Sequence, residues 1–265
     1  MSDPPITNRG LAFVIGIDTY DCDESIQNLS TAARDATMIA EKLSMCGYKV
    51  TLTINENKKE IEEKFDEFKI NIFENNYIDN VIYFAGHGCF NNKAQHILFS
   101  DFKKTKDKTP LTTQDFNNNL MNYAFNIPNM IEDMTDLPLE TRSNRTLIVL
   151  LDCCRLEFVP SRGEISSNDV QVSHSLKNEC VHSRDGVLLG FSCGMFREAF
   201  EKEKLGGNYT SYMLEHLFKE NRPVLFQLGE ISKEVVNLTK NRQHPEILVN
   251  FPQLFTFALN NKAKD

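Results

Sequence analysis

Residues 146–155 read TLIVLLDCCR. The first six form a continuous apolar and β-branched run, the pattern of a strand buried on both faces of a helix-covered sheet. Residues 11–17 (LAFVIGI), 81–85 (VIYFA) and 187–192 (VLLGFS) repeat it. Residues 48–54 (YKVTLTI) alternate and are rich in β-branched side chains, which predicts a further strand. Between these runs the period changes. Residues 58–74 carry Ile61, Phe65, Phe68 and Ile72 on one helical face. Residues 32–45 read as a helix with Ser30 as N-cap and a stop near Gly47. Residues 96–99 read as a short strand, 209–219 and 223–239 as helices, and 254–259 (LFTFAL) as a closing strand. Strands alternating with helices predict an α/β fold, a mostly parallel central sheet with helices on both faces.

The composition agrees. Of 265 residues, 41% are hydrophobic and 25% charged, which excludes collagen-like, low-complexity and broadly disordered chains. The net charge of −8 argues against a sequence-independent nucleic-acid binder. No apolar run approaches the roughly 18 residues of a membrane-spanning helix. Residues 1–10 lack the apolar stretch of a signal peptide, so the expected location is cytoplasmic. Seven cysteines, an odd number without paired C-x-x-C spacing, read as reduced thiols and not as a zinc site or disulfide framework.

In open α/β sheets the working residues lie beyond the carboxyl ends of the strands. The 81–85 strand runs into Gly86-His87-Gly88, and the 146–151 strand into Asp152-Cys153-Cys154-Arg155. Taken singly, such a histidine can cap a turn and such a cysteine can fill a core. Together they offer a thiol and a base, the elements of nucleophilic catalysis.

Tyr83-Phe84-Ala85-Gly86-His87-Gly88 resembles the histidine motif of the caspase-fold cysteine proteases. Leu150-Leu151-Asp152-Cys153-Cys154-Arg155 resembles their nucleophile motif, with Cys154 at the nucleophile position and Cys153 at the variable one. Arg155-Leu156-Glu157 after the cysteine is more similar to the paracaspases than to metacaspases, which have His-Ser-Gly there. Ala33-Arg34-Asp35-Ala36, Gly190-Phe191-Ser192-Cys193, Glu198-Ala199-Phe200-Glu201 and Gly207-Asn208-Tyr209-Thr210 resemble further family segments.

The resemblance implies one caspase-like domain over residues 1–265: a large-subunit-like part (8–160), a linker loop (161–185) and a small-subunit-like part (186–262). It implies a cysteine endopeptidase with catalytic His87 and Cys154, and an oxyanion hole made by the Gly88 and Cys154 backbone N–H groups. Protein substrates would carry Arg, or less favourably Lys, before the cut. An acidic pocket of Asp35, Asp152 and Glu198 would hold that side chain, since clustered carboxylates favour a planar guanidinium. Taken alone, Asp35 reads as a first-turn helix acid and Glu198 as a solvated loop charge. No metal or cofactor is implied. A calcium-activated metacaspase-like protease and a non-catalytic caspase-fold scaffold are the competing readings. The linker has no apolar periodicity and is expected to be mobile, with Arg162 and Arg184 as candidate self-cleavage points. The 254–259 strand, apolar and last, is expected at a sheet edge, where a second copy would pair with it as a homodimer.

Overall fold

A computed structural model describes residues 9–20, 26–75, 77–91, 94–103, 105–106, 109–110, 112–136, 145–155, 185–194, 199–202, 206–219, 222–250 and 255–257. Its main sheet uses β1 (Gly10–Gly16), β2 (Tyr48–Ile54), β3 (Asp79–Ala85), β9 (Thr146–Asp152), β10 (Val187–Phe191) and β13 (Glu246–Asn250). Their spatial order is β13-β10-β9-β3-β1-β2. Every neighbour pair is parallel except β10 with β13, which is antiparallel. Short strands β4 (Gly88–Asn91), β5 (Ala94–Leu98) and β8 (Ala124–Asn126) form a three-stranded antiparallel sheet beside it. Two two-residue pairings complete the set, β6 (Thr105–Lys106) with β7 (Thr109–Pro110) and β11 (Glu201–Lys202) with β12 (Gly206–Gly207).

The strands supply alternate side chains to two cores, as a period of two requires. Leu11, Phe13, Ile15, Ile82, Phe84, Val149 and Leu151 point to one face. There Ile61, Phe65, Phe68 and Ile72 of α2 (Lys58–Glu74) cover them, with α3 (Thr113–Tyr123) and α4 (Ile127–Thr135) alongside. Ala12, Val14, Val81, Tyr83, Ile148 and Leu150 point the other way, under α1 (Ala32–Met45), α5 (Asn208–His216) and α6 (Val224–Leu238).

Two expectations change. Helix α1 has Thr31, not Ser30, at its N-cap position, and the Ala33 N–H donates to Asp18 Oδ2, two residues beyond β1 (3.2 Å). Among the described residues the last strand of the sheet is β13, not the 254–259 stretch. Of that stretch, residues 255–257 are described and form no strand. Phe257 is fully buried against Tyr48 and Phe218, and Arg9 donates to the Thr256 carbonyl while its guanidinium lies over the Phe255 ring (5.1 Å). The apolar alternation there serves as a hydrophobic plug for the helical layer. Most of the 161–185 linker, Arg162 and Arg184 included, lies outside the described residues. No helix among the described residues is long and apolar enough to cross a membrane.

Candidate active site

The parallel register of β3 with β9 pairs Ala85 with Asp152. His87 and Cys154 each follow by two residues, so they leave neighbouring strands at the same level. The Gly86 N–H donates to the Asp152 carbonyl (3.3 Å), carrying the pairing past the strand ends. Leu29, Ala32, Asp35, His87, Asp152, Cys153, Cys154, Ala199 and Gly207 line one small cleft there, about 60 Å³ in volume.

His87 is held by its backbone and on two sides of its ring. Its backbone N–H donates to the Tyr20 hydroxyl (2.8 Å), and the Tyr20 ring lies 4.8 Å from the imidazole, centroid to centroid. Nε2 lies 2.7 Å from the Gln27 carbonyl oxygen. A carbonyl only accepts, so Nε2 carries the proton and Nδ1 holds the lone pair of the neutral ring. Tyr20 and Gln27 had no signal in the sequence, since one is an ordinary buried tyrosine and the other acts through its backbone.

The two adjacent cysteines have opposite environments. Cys153 is 2% exposed, and burial pushes its thiol well above the ordinary range. Cys193, also buried, has its thiol pushed up to about 12, mainly by desolvation. Both are held as neutral thiols at physiological pH. Cys154 is partly exposed to the cleft, with the Ala199 N–H 3.4 Å from its sulfur. All five described cysteines are reduced thiols.

The antiparallel ladder of β4 with β5 decides where the Gly88 N–H points. The Leu98 N–H donates to the His87 carbonyl (3.0 Å), so Gly88, one residue on and opposite Ile97, occupies the non-hydrogen-bonded type of pair. Its N–H therefore turns out of that ladder.

Two carboxylates reach the cleft, and both are organised by the start of α5. Asp35 is 4% exposed, and its Oδ2 accepts from the Gly207 N–H (2.7 Å) and the Thr31 hydroxyl (3.1 Å). It is not a solvated helix acid. Asp152 Oδ2 accepts the Thr210 hydroxyl (2.6 Å) and the Thr210 N–H (3.2 Å). Because that hydroxyl spends its one proton on Asp152, the Tyr83 hydroxyl 2.6 Å away must donate to it. Burial keeps the Tyr83 phenol protonated for that role. A Cβ on Gly207 would stand 2.6 Å from Asp152 Oδ2, so glycine is required for this approach. Glu198, the third acid expected in the pocket, lies outside the described residues. No group of three or more His, Cys, Asp or Glu suited to a metal ion occurs among the described residues.

A larger cavity, about 550 Å³, lies apart from this site between α2, α3 and α4. It contains no cysteine, and its one histidine, His96, has its pKa lowered to about 4 by burial. Thiol, imidazole and carboxylates line the smaller cleft together.

The model of the caspase domain family matches residues 9–256. A comparison with curated proteins finds no match. Among solved structures, caspase-1 from Spodoptera frugiperda aligns with a TM-score of 0.66 at 14% identity, covering 97% of this chain and 95% of that one. The structure of pro-sf-caspase-1 aligns with a TM-score of 0.65 at 14% identity, covering 95% of this chain and 91% of that one. At that identity the likeness is one of fold, and it extends over nearly the whole length of both chains.

Proposed function

This chain belongs to the caspase domain family, and from that premise we propose that it is a paracaspase-like cysteine endopeptidase cleaving protein chains after Arg, with Lys second. The observation that carries the reading is the convergence of His87, Cys154, Asp35 and Asp152 on one cleft at the ends of β3 and β9. Cys154 Sγ attacks the scissile carbonyl carbon, and its proton passes to His87 Nδ1. The Gln27 carbonyl, on the far side of the ring, favours the imidazolium that results. The tetrahedral oxyanion is held by the N–H groups of Gly88 and Cys154. Collapse expels the amine, which takes the proton from His87, and leaves a thioester. Water activated by the same imidazole then hydrolyses it, returning the thiol. No metal or cofactor takes part in these steps.

Selectivity rests on Asp35 and Asp152, with Glu198 as the third carboxylate. The α5 backbone and Thr210 fix one oxygen of each described acid and orient the pair toward the cleft. A guanidinium there gains bidentate, charge-assisted bonds that an aspartate side chain would be repelled from. Substrate and enzyme meet in a reducing, cytoplasmic compartment, in keeping with the reduced thiols.

We propose a homodimer contact at β13, the antiparallel strand that ends the sheet among the described residues, whose five residues are all partly exposed. An isologous pairing of two such edges closes about a two-fold axis. Sedimentation of free and inhibitor-bound protein tests it: a monomer in both states removes the dimer.

Fluorogenic peptides ending in Arg, Lys or Asp, assayed with and without a chelator, test the central reading. Hydrolysis in the order Arg, Lys, with Asp uncleaved and the chelator without effect, is expected. Chelator-sensitive turnover would favour a calcium-activated enzyme, and no turnover of any peptide a scaffold.

A further inference from the structure

Gln95 sits on β5, 4% exposed, and no step above uses its side chain. Its Nε2 lies 3.1 Å from the His96 carbonyl oxygen, 3.2 Å from the Cys154 carbonyl oxygen and 3.6 Å from the Cys153 sulfur. Two of these partners are carbonyls that only accept, so the amide must present its nitrogen to them. One N–H serves its own strand. The other crosses to the residue that carries the nucleophilic sulfur. The opposite end of the amide, Oε1, is buried and has no hydrogen-bond partner among the described residues. A carboxamide left half-satisfied in a core works against stability, so packing alone does not account for glutamine here.

The amide nitrogen and two of its partners also close around Gly88. A Cβ built on Gly88 would stand 2.7 Å from Cys153 Sγ, 2.8 Å from Gln95 Nε2 and 2.9 Å from the Cys154 carbonyl oxygen. Gly88 and Cys154, whose N–H groups form the proposed oxyanion hole, therefore come from different sheets yet meet at one carboxamide. Oxyanion stabilisation depends on donors held within a few tenths of an ångström of the developing charge.

We infer that Gln95 is a positioning residue for the oxyanion hole: by tying the Cys154 carbonyl to the β4–β5 hairpin, it sets the spacing between the Gly88 and Cys154 N–H groups. The inference rests on the peptidase reading and goes beyond it by adding a residue that touches neither substrate nor sulfhydryl proton.

The test compares wild type with Gln95→Met, which keeps the volume and removes both donors. Three readouts are taken: hydrolysis of an Arg-terminated peptide amide, affinity for the matching peptidyl aldehyde, and alkylation of Cys154 by iodoacetamide. The aldehyde forms a tetrahedral adduct whose oxygen needs the hole, whereas alkylation develops no oxyanion. The expected result is a kcat lowered about 10- to 100-fold with KM nearly unchanged, since loss of a whole donor costs about 100- to 1,000-fold. Aldehyde affinity falls in parallel, and the alkylation rate stays within about twofold. Unchanged kcat and aldehyde affinity, with only a lower melting temperature, would reduce Gln95 to a structural residue. An equal loss in alkylation would place its effect on the thiol and overturn the inference. If Gln95→Met does not fold, Gln95→Leu carries the same expectations, being apolar, of similar size and without a donor. Wild-type protein that neither hydrolyses the peptide nor binds the aldehyde overturns the peptidase reading itself, a result distinct from an unaffected variant of an active enzyme.

Discussion

The guanidinium of Arg155, one residue beyond Cys154, lies 2.7 Å from the carboxylate of Glu246 on the edge strand β13. It also sits 3.7 Å over the Phe191 ring of β10. The Arg155 side chain is 2% exposed and that of Glu246 33%, so a buried cation beside Cys154 is compensated from the rim of the sheet. Glu246→Ala is expected to lower unfolding stability by about 2 kcal/mol, below the 3–5 kcal/mol typical of breaking a fully buried pair because Glu246 is partly solvated. Peptidase activity should drop with it, because the Arg155 backbone continues directly from Cys154. Urea titration measures the first effect, and an unmoved midpoint would show that the pair does not anchor this segment.

Cys154→Ala and His87→Ala should each lower turnover at least about a thousandfold while leaving circular dichroism unchanged. Cys153→Ala should keep substantial activity, since its thiol is buried and held protonated. Timed iodoacetamide labelling read by mass spectrometry should modify Cys154 ahead of Cys153 and Cys193. An inactive Cys153 variant beside an active Cys154 variant would reverse the assignment.

Asp152→Asn should lower kcat/KM for Arg peptides by about tenfold or more, the scale of one charge-assisted hydrogen bond. Gly207→Ala should do the same without replacing a carboxylate, because its methyl group would displace Asp152. Steady-state kinetics on paired Arg and Lys peptides decide the matter. Efficient cleavage after Asp by wild type would remove the acidic pocket altogether.

His96 is 6% exposed, and burial lowers its pKa to about 4 from an ordinary value near 6.5. Its neutral ring is consistent with its contacts: Nδ1 donates to the Ala94 carbonyl (3.2 Å) and Nε2 accepts from Asn126 Nδ2 (3.4 Å). The unfolded chain binds this proton first as pH falls. Full stability is therefore present above about pH 6.5 and is lost progressively down to about pH 4, by about 3 kcal/mol in total. Melting curves between pH 7 and 4 should show the decline, and His96→Gln should flatten it. Equal slopes for both proteins would mean that other groups dominate acid unfolding.

Local patterning was enough to place β1, β2, β3, β9 and β10, as well as α1 and α2, because burial on a given face imprints a period of 2 or 3.6 on the chain. The Gly86-His87-Gly88 and Asp152-Cys153-Cys154-Arg155 segments stood out for the same reason, as polar breaks after apolar runs. What could not be read was anything that depends on pairing between distant segments. The Ala85–Asp152 register, which levels His87 with Cys154, is a property of two strands at once. So are the Gln27 carbonyl at His87, the Thr210 hydroxyl at Asp152 and the Gln95 amide at Cys154: one acts through its backbone, and the other side chains look ordinary in sequence. The identity of the last strand is hidden from the sequence on the same ground. Residues 255–257 alternate like a strand but bury Phe257 beneath the helices, while Glu246–Asn250, short and set between Pro245 and Phe251-Pro252, pairs with β10. An apolar residue in sequence declares only that it will be buried. Which partner buries it is chosen by the competition among all such surfaces, and that competition is settled only when the chain is folded.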